Sequence, residues 1–143
     1  MRAWIPSDSG RVLLVRDGQE ATLPGRRFTL QEHAWEVLVE AVGRQTGLTV
    51  HPTRLLGLDW RLICDRTAEE WTMVVLCSAV RADSLPTEGP CLSAWTSREE
   101  SLRELRGMGR QFLELWQAWQ DGHRALMQDS RGVPFDAARG RLR

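Results

Sequence analysis

The chain has 143 residues, of which 42% are hydrophobic and 27% charged, a balance typical of one folded domain with a single core. Its 19 basic and 19 acidic residues cancel, which argues against broad electrostatic capture of a nucleic acid polymer or of an anionic membrane. The sequence has no apolar run of about 18 residues and no secretory-type segment near its start. We therefore expect a cytoplasmic protein without a membrane partner.

The first part of the chain predicts two short strands. Residues 10–16 form an apolar run closed by Asp17-Gly18, and residues 20–23 can return as the partner strand. Thr29 and Glu32 then have the spacing of a capping box, which predicts the start of a helix.

The predicted helix covers residues 29–45 and has one apolar face. Its apolar side chains recur every three or four positions, at Ala34, Val37, Leu38, Ala41 and Val42. Gly47 can supply the left-handed conformation that ends such a helix.

Two further strands, residues 55–64 and 71–80, are expected to form a hairpin through a turn at residues 65–70. A loop at residues 84–90 leads to a strand at residues 92–96. Because strands and helices are interleaved, the predicted class is α/β (α+β), with a mixed sheet between helices.

The second half of the chain predicts two more helices. Ser97 and Glu100 form a second capping box, followed by a short helix to about residue 105. A longer helix is predicted over residues 109–127. We place the domain at residues 1–128 and expect residues 129–143 to be a flexible, Arg-rich tail.

Cysteine and histidine give no sign of a metal site or a disulfide. The three cysteines are odd in number, have no C-x-x-C spacing and are expected to be reduced thiols, mostly buried: Cys64, Cys77 and Cys91. The three histidines have no ligand-like spacing and are expected to be structural or exposed: His33, His51 and His123.

The segment from residue 23 to residue 48 resembles the Nudix box. With Gly47-Leu48 as the anchor, Pro24-Gly25, Glu32 and Val42 fall on the positions of that motif. The predicted strand before the box and the predicted hairpin after it also match the context of the box in that family. The resemblance implies a Nudix-like α/β/α sandwich and a pocket in which magnesium-dependent enzymes hydrolyse nucleoside diphosphates linked to another group.

The departures from the box fall on its chemistry. Arg26 replaces the opening Gly, Glu40 replaces the Arg, and the three metal-binding Glu positions are Ala41, Arg44 and Gln45. Carboxylates at these spacings share a helix face and hold magnesium through oxygen ligands. Their loss implies an impaired enzyme with no metal or other cofactor. Glu32, Glu36 and Glu40 could rebuild a metal site on another face, although such a stripe is usually solvated charge.

Arg44 has two interpretations. It can pair with Glu40 in the favourable i, i+4 order and have no function. Alternatively, it contacts an anionic ligand directly, together with Arg26 and Arg27 near the start of the helix. The candidate ligand-binding group is therefore Arg26, Arg27, Glu32, Glu40 and Arg44.

Three functions follow from these observations. The first is binding of a nucleotide-like or other phosphorylated small molecule by a catalytically impaired domain. The second is an active hydrolase that holds magnesium through other carboxylates, such as Glu36, Glu40 or Glu88. The third is a protein-interaction module, for which the Arg-rich tail and the aromatic side of the last helix are the candidate surfaces. Phe112, Trp116 and Trp119 concentrate apolar area on that side, which can either pack on the sheet or continue across a homodimer interface.

The remaining tryptophans are expected in the core, with stacking on a base as the alternative for one of them. They are Trp4, Trp35, Trp60, Trp71 and Trp95.

Overall fold

The structure is a computed structural model that describes residues 1–63, 68–78, 92–105, 107–129, 131–132, 135–136 and 141–142. The helices are α1 (Ala34–Thr46), α2 (Arg98–Glu104) and α3 (Gly109–Asp121). The strands are β1 (Arg2–Trp4), β2 (Val12–Asp17), β3 (Glu20–Thr22), β4 (Pro52–Ile63), β5 (Ala68–Cys77), β6 (Leu92–Thr96), β7 (Ala125–Gln128), β8 (Arg131–Gly132), β9 (Phe135–Asp136) and β10 (Arg141–Leu142).

The strands form a mixed sheet, a smaller antiparallel sheet and a short ribbon. The main sheet has the order β1-β5-β4-β7-β8, with parallel pairs β1/β5 and β4/β7. The smaller sheet has the order β3-β2-β6, and β9 pairs with β10. The predicted α/β (α+β) class with a mixed sheet is confirmed.

The core has two halves on opposite faces of the sheet. Leu38 and Val42 of α1 belong to one half, and Phe112 and Leu115 of α3 belong to the other. Successive β5 residues alternate between them, because side chains of a strand point to opposite faces. Helices therefore cover both faces of the main sheet, which is the layered arrangement expected of an α/β/α sandwich.

The start of α1 differs from the prediction. The helix begins at Ala34, with His33 in an extended N-cap conformation, and not at Thr29. The Glu32 carboxylate does accept from the Thr29 amide at 2.8 Å, but the Thr29 hydroxyl also donates to that carboxylate, so it does not cap the Glu32 amide. Only half of the capping box forms, and residues 29–32 make a turn.

The remaining predictions for α1 are confirmed. Val37, Leu38, Ala41 and Val42 are buried, as the apolar spacing predicted. The helix ends at Gly47, whose φ of 71° is left-handed.

The predicted helix over residues 109–127 is wrong at its end. α3 stops at Asp121 because Gly122 adopts a left-handed φ of 73°. Residues 125–128 form β7 instead, and the alternating burial of Ala125 and Met127 is the period of a strand.

The hairpin and the second capping box are confirmed. β4 and β5 pair antiparallel, with β5 beginning at Ala68, so the predicted turn at residues 65–70 is too long. Ser97 and Glu100 form both bonds of the capping box. The predicted loop at residues 84–90 lies outside the described residues, and the flexible tail stays a prediction. Short strands lie within residues 129–143, at 131–132, 135–136 and 141–142.

The tryptophans do not all lie in the core. Trp4 is fully buried, but Trp35 and Trp71 are 51% and 53% exposed, so the prediction of burial is wrong for both. Trp60 and Trp71 face each other across the hairpin, with ring centroids 5.8 Å apart. The two rings are stacked, with an interplanar angle of 27°, which is a favourable cross-strand pair.

Cysteine and histidine follow the prediction where they are described. Cys77 is a buried free thiol, and burial raises its pKa to about 12. Cys64 and Cys91 lie outside the described residues. The three histidines are exposed. Among the described helices, none is long and apolar enough to cross a membrane.

Val42→Asp tests the buried face of α1. Val42 is fully buried, so the substitution places an unpaired charge in the core and should lower the free energy of unfolding by about 3–5 kcal/mol. Glu36→Asp is the control, because it puts the same side chain on an exposed position and should change stability by less than about 0.5 kcal/mol. Urea denaturation measures both, and equal midpoints for Val42→Asp and the parent would show that the buried face is misassigned.

Candidate ligand-binding site

A cavity of about 580 Å³ lies where β1, β3, the end of α1 and the α2–α3 connection come together. Its volume falls within the range of small-molecule sites, roughly 300–1,000 Å³. Polar and charged side chains supply part of the lining, among them Arg2, Glu20, Arg26, Gln45 and Glu104.

Gly25 allows the loop after β3 to approach β1 closely. Its φ is +139°, and a Cβ atom there would lie 2.3 Å from the Met1 carbonyl oxygen and 2.9 Å from the Arg2 Cα. The amide of Ala3 donates to the Pro24 carbonyl at 2.7 Å and closes the contact. The absent side chain of Gly25 therefore lets β1 lie against this loop, at one wall of the cavity.

Gln45 joins the end of α1 to the same loop. The Gly25 amide donates to Gln45 Oε1 at 2.8 Å, and Gln45 Nε2 donates to the Gly25 carbonyl at 3.2 Å. Both ends of the Gln45 side-chain amide are thus used by one backbone residue. A glutamate at this position could accept the first bond but could not donate the second.

Arg2 is a site residue that the sequence did not predict. Its Nη1 donates to the Leu23 and Gly25 carbonyls, each at 3.2 Å. Its Nε and Nη2 have no hydrogen-bond partner among the described residues. Burial lowers the pKa of Arg2, and Glu70 opposes that shift, yet a guanidinium stays charged near neutral pH. The Arg2 side chain therefore lines the cavity as a cation whose Nε and Nη2 donate to no described residue.

Arg26 and Glu32, both predicted site residues, lie together. Arg26 Nη2 donates to Glu32 Oε1 at 2.8 Å, while the second oxygen accepts from the Thr29 amide. The Arg26 bond, followed by the Thr29 amide, lowers the pKa of Glu32 to about 2. Arg26 lines the cavity, but its charge is matched by that of Glu32.

The other predicted residues lie elsewhere. Arg44 pairs with Glu40 on the surface, with 74% of the Arg44 side chain exposed, which is the i, i+4 arrangement given above as one alternative. Arg27 is 93% exposed and lies 3.3 Å from Glu70. Neither arginine lines the cavity at Arg2. A role in ligand binding for Arg27, Glu40 and Arg44 stays a prediction.

The positions aligned with the magnesium ligands of the Nudix box do not fit a metal ion. Ala41 is buried and has no ligand atom, Gln45 is bonded to Gly25, and Arg44 is a cation. Magnesium requires several oxygen ligands in octahedral geometry. In the part of the chain that the structure describes, no three side chains of the His, Cys, Asp or Glu type form a possible metal site. Glu88 lies outside that part.

No family model and no curated protein matches the sequence. Solved structures do match. A UDP-X diphosphatase is 22% identical, with a TM-score of 0.69 over 88% of this chain and 64% of the other, so this chain spans less than two thirds of that protein. An ADP-ribose pyrophosphatase from Streptococcus suis 89-1591 is 19% identical, with a TM-score of 0.64 over 89% of this chain and 95% of the other.

Two further structures agree with these. A MutT protein from Methanosarcina mazei Go1 is 23% identical, with a TM-score of 0.60 over 83% of this chain and 91% of the other. An Ap4A hydrolase from C. elegans is 13% identical, with a TM-score of 0.61 over 85% of this chain and 97% of the other. Together with the Nudix hydrolases from Nitrosomonas europaea that also match, they show that the chain has a Nudix-like fold. The fold implied by the sequence resemblance is confirmed.

Gly25→Ala tests the close approach of the loop to β1. The added methyl group meets backbone atoms of Met1 and Arg2, whereas Gly18→Ala, at a φ of +63° with open space around it, adds only backbone strain. The control should cost about 1–2 kcal/mol, and Gly25→Ala about 1–3 kcal/mol more. Thermal unfolding measures the difference, and equal losses would mean that the loop does not contact β1.

Glu32→Gln tests the Arg26 ion pair through its pH dependence. Because the folded-state pKa of Glu32 is about 2, below its ordinary value of 4.5, ionisation of Glu32 stabilises the fold above about pH 4.5. This stabilisation is lost as the pH falls towards 2. The difference in melting temperature between the parent and Glu32→Gln should therefore be greatest above pH 4.5 and shrink below it. Arg26→Gln should reduce the same pH-dependent component. A difference that is constant from pH 6 to pH 2 would contradict the ion pair.

Proposed function

We propose that this domain binds a phosphorylated, nucleotide-like small molecule in the cavity at Arg2, without the magnesium-dependent hydrolysis typical of its fold. The observation that carries the proposal is the guanidinium of Arg2. It is partly buried, it lines a cavity of ligand size, and its Nε and Nη2 donors have no partner in the described residues.

The geometry of this group suits a phosphate. Nε and Nη2 of a guanidinium point in parallel and form the fork that binds two oxygens of a phosphate or carboxylate. The third nitrogen is anchored to two backbone carbonyls, so the fork is held in place before a ligand arrives. Arg26 adds a second cation to the cavity wall, although its ion pair with Glu32 reduces its attraction for a phosphate.

The class of ligand is supported by the similar structures. Their names specify UDP-X, ADP-ribose and Ap4A, all of which contain nucleoside phosphates. At identities of 13–22% these names identify a chemical class and no single compound for this chain.

The loss of catalysis is supported by the end of α1. Magnesium ions in such a site would bridge phosphate oxygens and activate water, and they need carboxylates held together. Here the corresponding side chains are a buried methyl group, an amide bonded to Gly25 and an arginine paired with Glu40. We propose that the domain needs no metal cofactor to bind its ligand.

Calorimetric titration with ADP-ribose tests the proposal. Binding should be unchanged by a chelator and should weaken as salt screens the charges. Arg2→Ala should lose about 1.5–3 kcal/mol of binding free energy, the range for hydrogen bonds to charged groups. Arg2→Lys should retain part of it, because a lysine keeps the charge without the fork.

Two other variants complete the experiment. Arg103→Ala removes an exposed arginine that does not line the cavity and should leave affinity unchanged. Arg44→Ala examines the predicted role of that residue, and a loss as large as that of Arg2→Ala would extend the site to the end of α1. Binding that vanishes with chelator, or robust magnesium-dependent release of phosphate, would contradict the proposed function.

A further inference from the structure

A small cavity of about 250 Å³ lies where β1, β5 and the loop before α1 come together. It shares no lining residue with the cavity at Arg2. Its volume is below the roughly 300–1,000 Å³ of small-molecule sites, so it suits a single side chain of a partner. The cavity is lined by Met1, Arg27, Phe28, Glu69, Glu70 and Trp71.

The indole of Trp71 presents one side of its ring to this cavity. Trp71 is half-exposed, and Trp60 stacks on it from the neighbouring strand. The sheet order β1-β5-β4 places Met1 on the other side of Trp71 from Trp60, and Trp60 does not line the cavity. The cavity therefore meets the side of the ring that is turned away from Trp60. The face of an indole attracts cations because its π-electrons carry partial negative charge.

Glu69 adds a carboxylate at the edge of the same ring. Residues 69 and 71 point to the same face of β5, and Trp71 Nε1 donates to Glu69 Oε2 at 3.3 Å. Glu69 Oε1 has no hydrogen-bond partner among the described residues, and Glu69 forms no ion pair with any of them. An acceptor with a full negative charge is thus available beside an aromatic face.

The cations near this cavity lie around Glu70, which belongs to the opposite face of β5. Arg27 Nη2 donates to Glu70 Oε1 at 3.3 Å. Burial lowers the pKa values of the Met1 amino group and of Arg2, and Glu70 acts in the opposite direction on both. Glu70 therefore offsets the positive charge of these groups, and the carboxylate of Glu69 stays available.

We infer that this cavity binds the guanidinium of an arginine side chain from a partner polypeptide. A planar guanidinium can stack on Trp71 and donate at its edge to Glu69, a combination that a lysine ammonium cannot reproduce. Phe28 can pack on the methylene stem of the arginine. Leu62 is 45% exposed and lies directly opposite Glu69 in the β4–β5 register, so it favours a partner with an apolar residue next to the arginine. Arginine binding here is independent of phosphate binding at Arg2.

NMR titrations of the full chain with three probes test this. The probes are Nα-acetyl-arginine amide, Nα-acetyl-lysine amide and Nα-acetyl-citrulline amide, whose urea group has the shape of a guanidinium without its charge. The arginine probe should shift the indole N–H resonance of Trp71 and bind at least about fivefold more tightly than the citrulline probe. The lysine probe should bind more weakly than the arginine probe, because it lacks the planar fork.

Substitutions locate the binding, with the backbone amides of residues 69–71 as reporters in every variant. Glu69→Gln and Trp71→Leu should each weaken binding of the arginine probe by about threefold or more. Trp35→Leu is the control, because Trp35 is also half-exposed but does not line the cavity, and it should leave affinity unchanged. Arg27→Gln removes a like charge and should keep or raise the affinity.

Several results would overturn the inference. Equal affinities for the arginine and citrulline probes would show that the cavity does not recognise the charge. Unchanged affinity in Glu69→Gln, which alters an exposed side chain and leaves the fold intact, would show that the carboxylate takes no part. A loss in Arg27→Gln as large as that expected for Glu69→Gln would show that the cavity does not select cations.

Discussion

The site depends on the pair of hydrogen bonds between the Gln45 side chain and the backbone of Gly25. These bonds join the end of α1 to the loop that follows β3, and the close approach of Gly25 joins that loop to β1. Each bond contributes about 1 kcal/mol, which is modest. Together with the bond from the Ala3 amide to the Pro24 carbonyl, they hold the Gly25 carbonyl, which accepts from the Arg2 guanidinium.

The same pair of bonds links the fold to the change in chemistry. Gln45 occupies a position that the resemblance to the Nudix box assigns to a metal-binding carboxylate. An amide there can bond to both the N–H and the C=O of Gly25, whereas a carboxylate would face the carbonyl with repulsion. The amide at this position thus attaches the loop to the helix through two hydrogen bonds. The cavity retains cations in its wall while the aligned acids are absent.

The parts of the fold that the sequence predicted correctly have strong local signals. The buried face of α1 follows from the spacing of Val37, Leu38, Ala41 and Val42, and the start of α2 follows from the Ser97 capping box. Each of these depends on residues within one or two helical turns. Such patterns can therefore be recognised in the sequence before any tertiary contact is known.

The parts that were missed depend on distant contacts. The sequence predicted that α1 begins at Thr29, whereas it begins at Ala34. The expected cap is incomplete because the Glu32 carboxylate accepts from Arg26 and from the Thr29 hydroxyl. β7 is a strand because it pairs with β4, far away in the chain, although Gly122 was a visible signal that α3 ends.

Arg2 had no local signal. It lies in a three-residue strand, and it becomes a site residue only because Gly25 brings a remote loop beside it. Fold similarity could not identify it either, because structures at these identities share an architecture and not a set of site residues.

A crystal structure of the protein with ADP-ribose, grown in the presence of magnesium, would test the central claim most directly. The account predicts a phosphate oxygen within hydrogen-bond distance of Arg2 Nε or Nη2, with no metal ion between the phosphate and the protein. A magnesium ion held by carboxylates of this chain against the phosphate, or a phosphate bound away from Arg2, would contradict it.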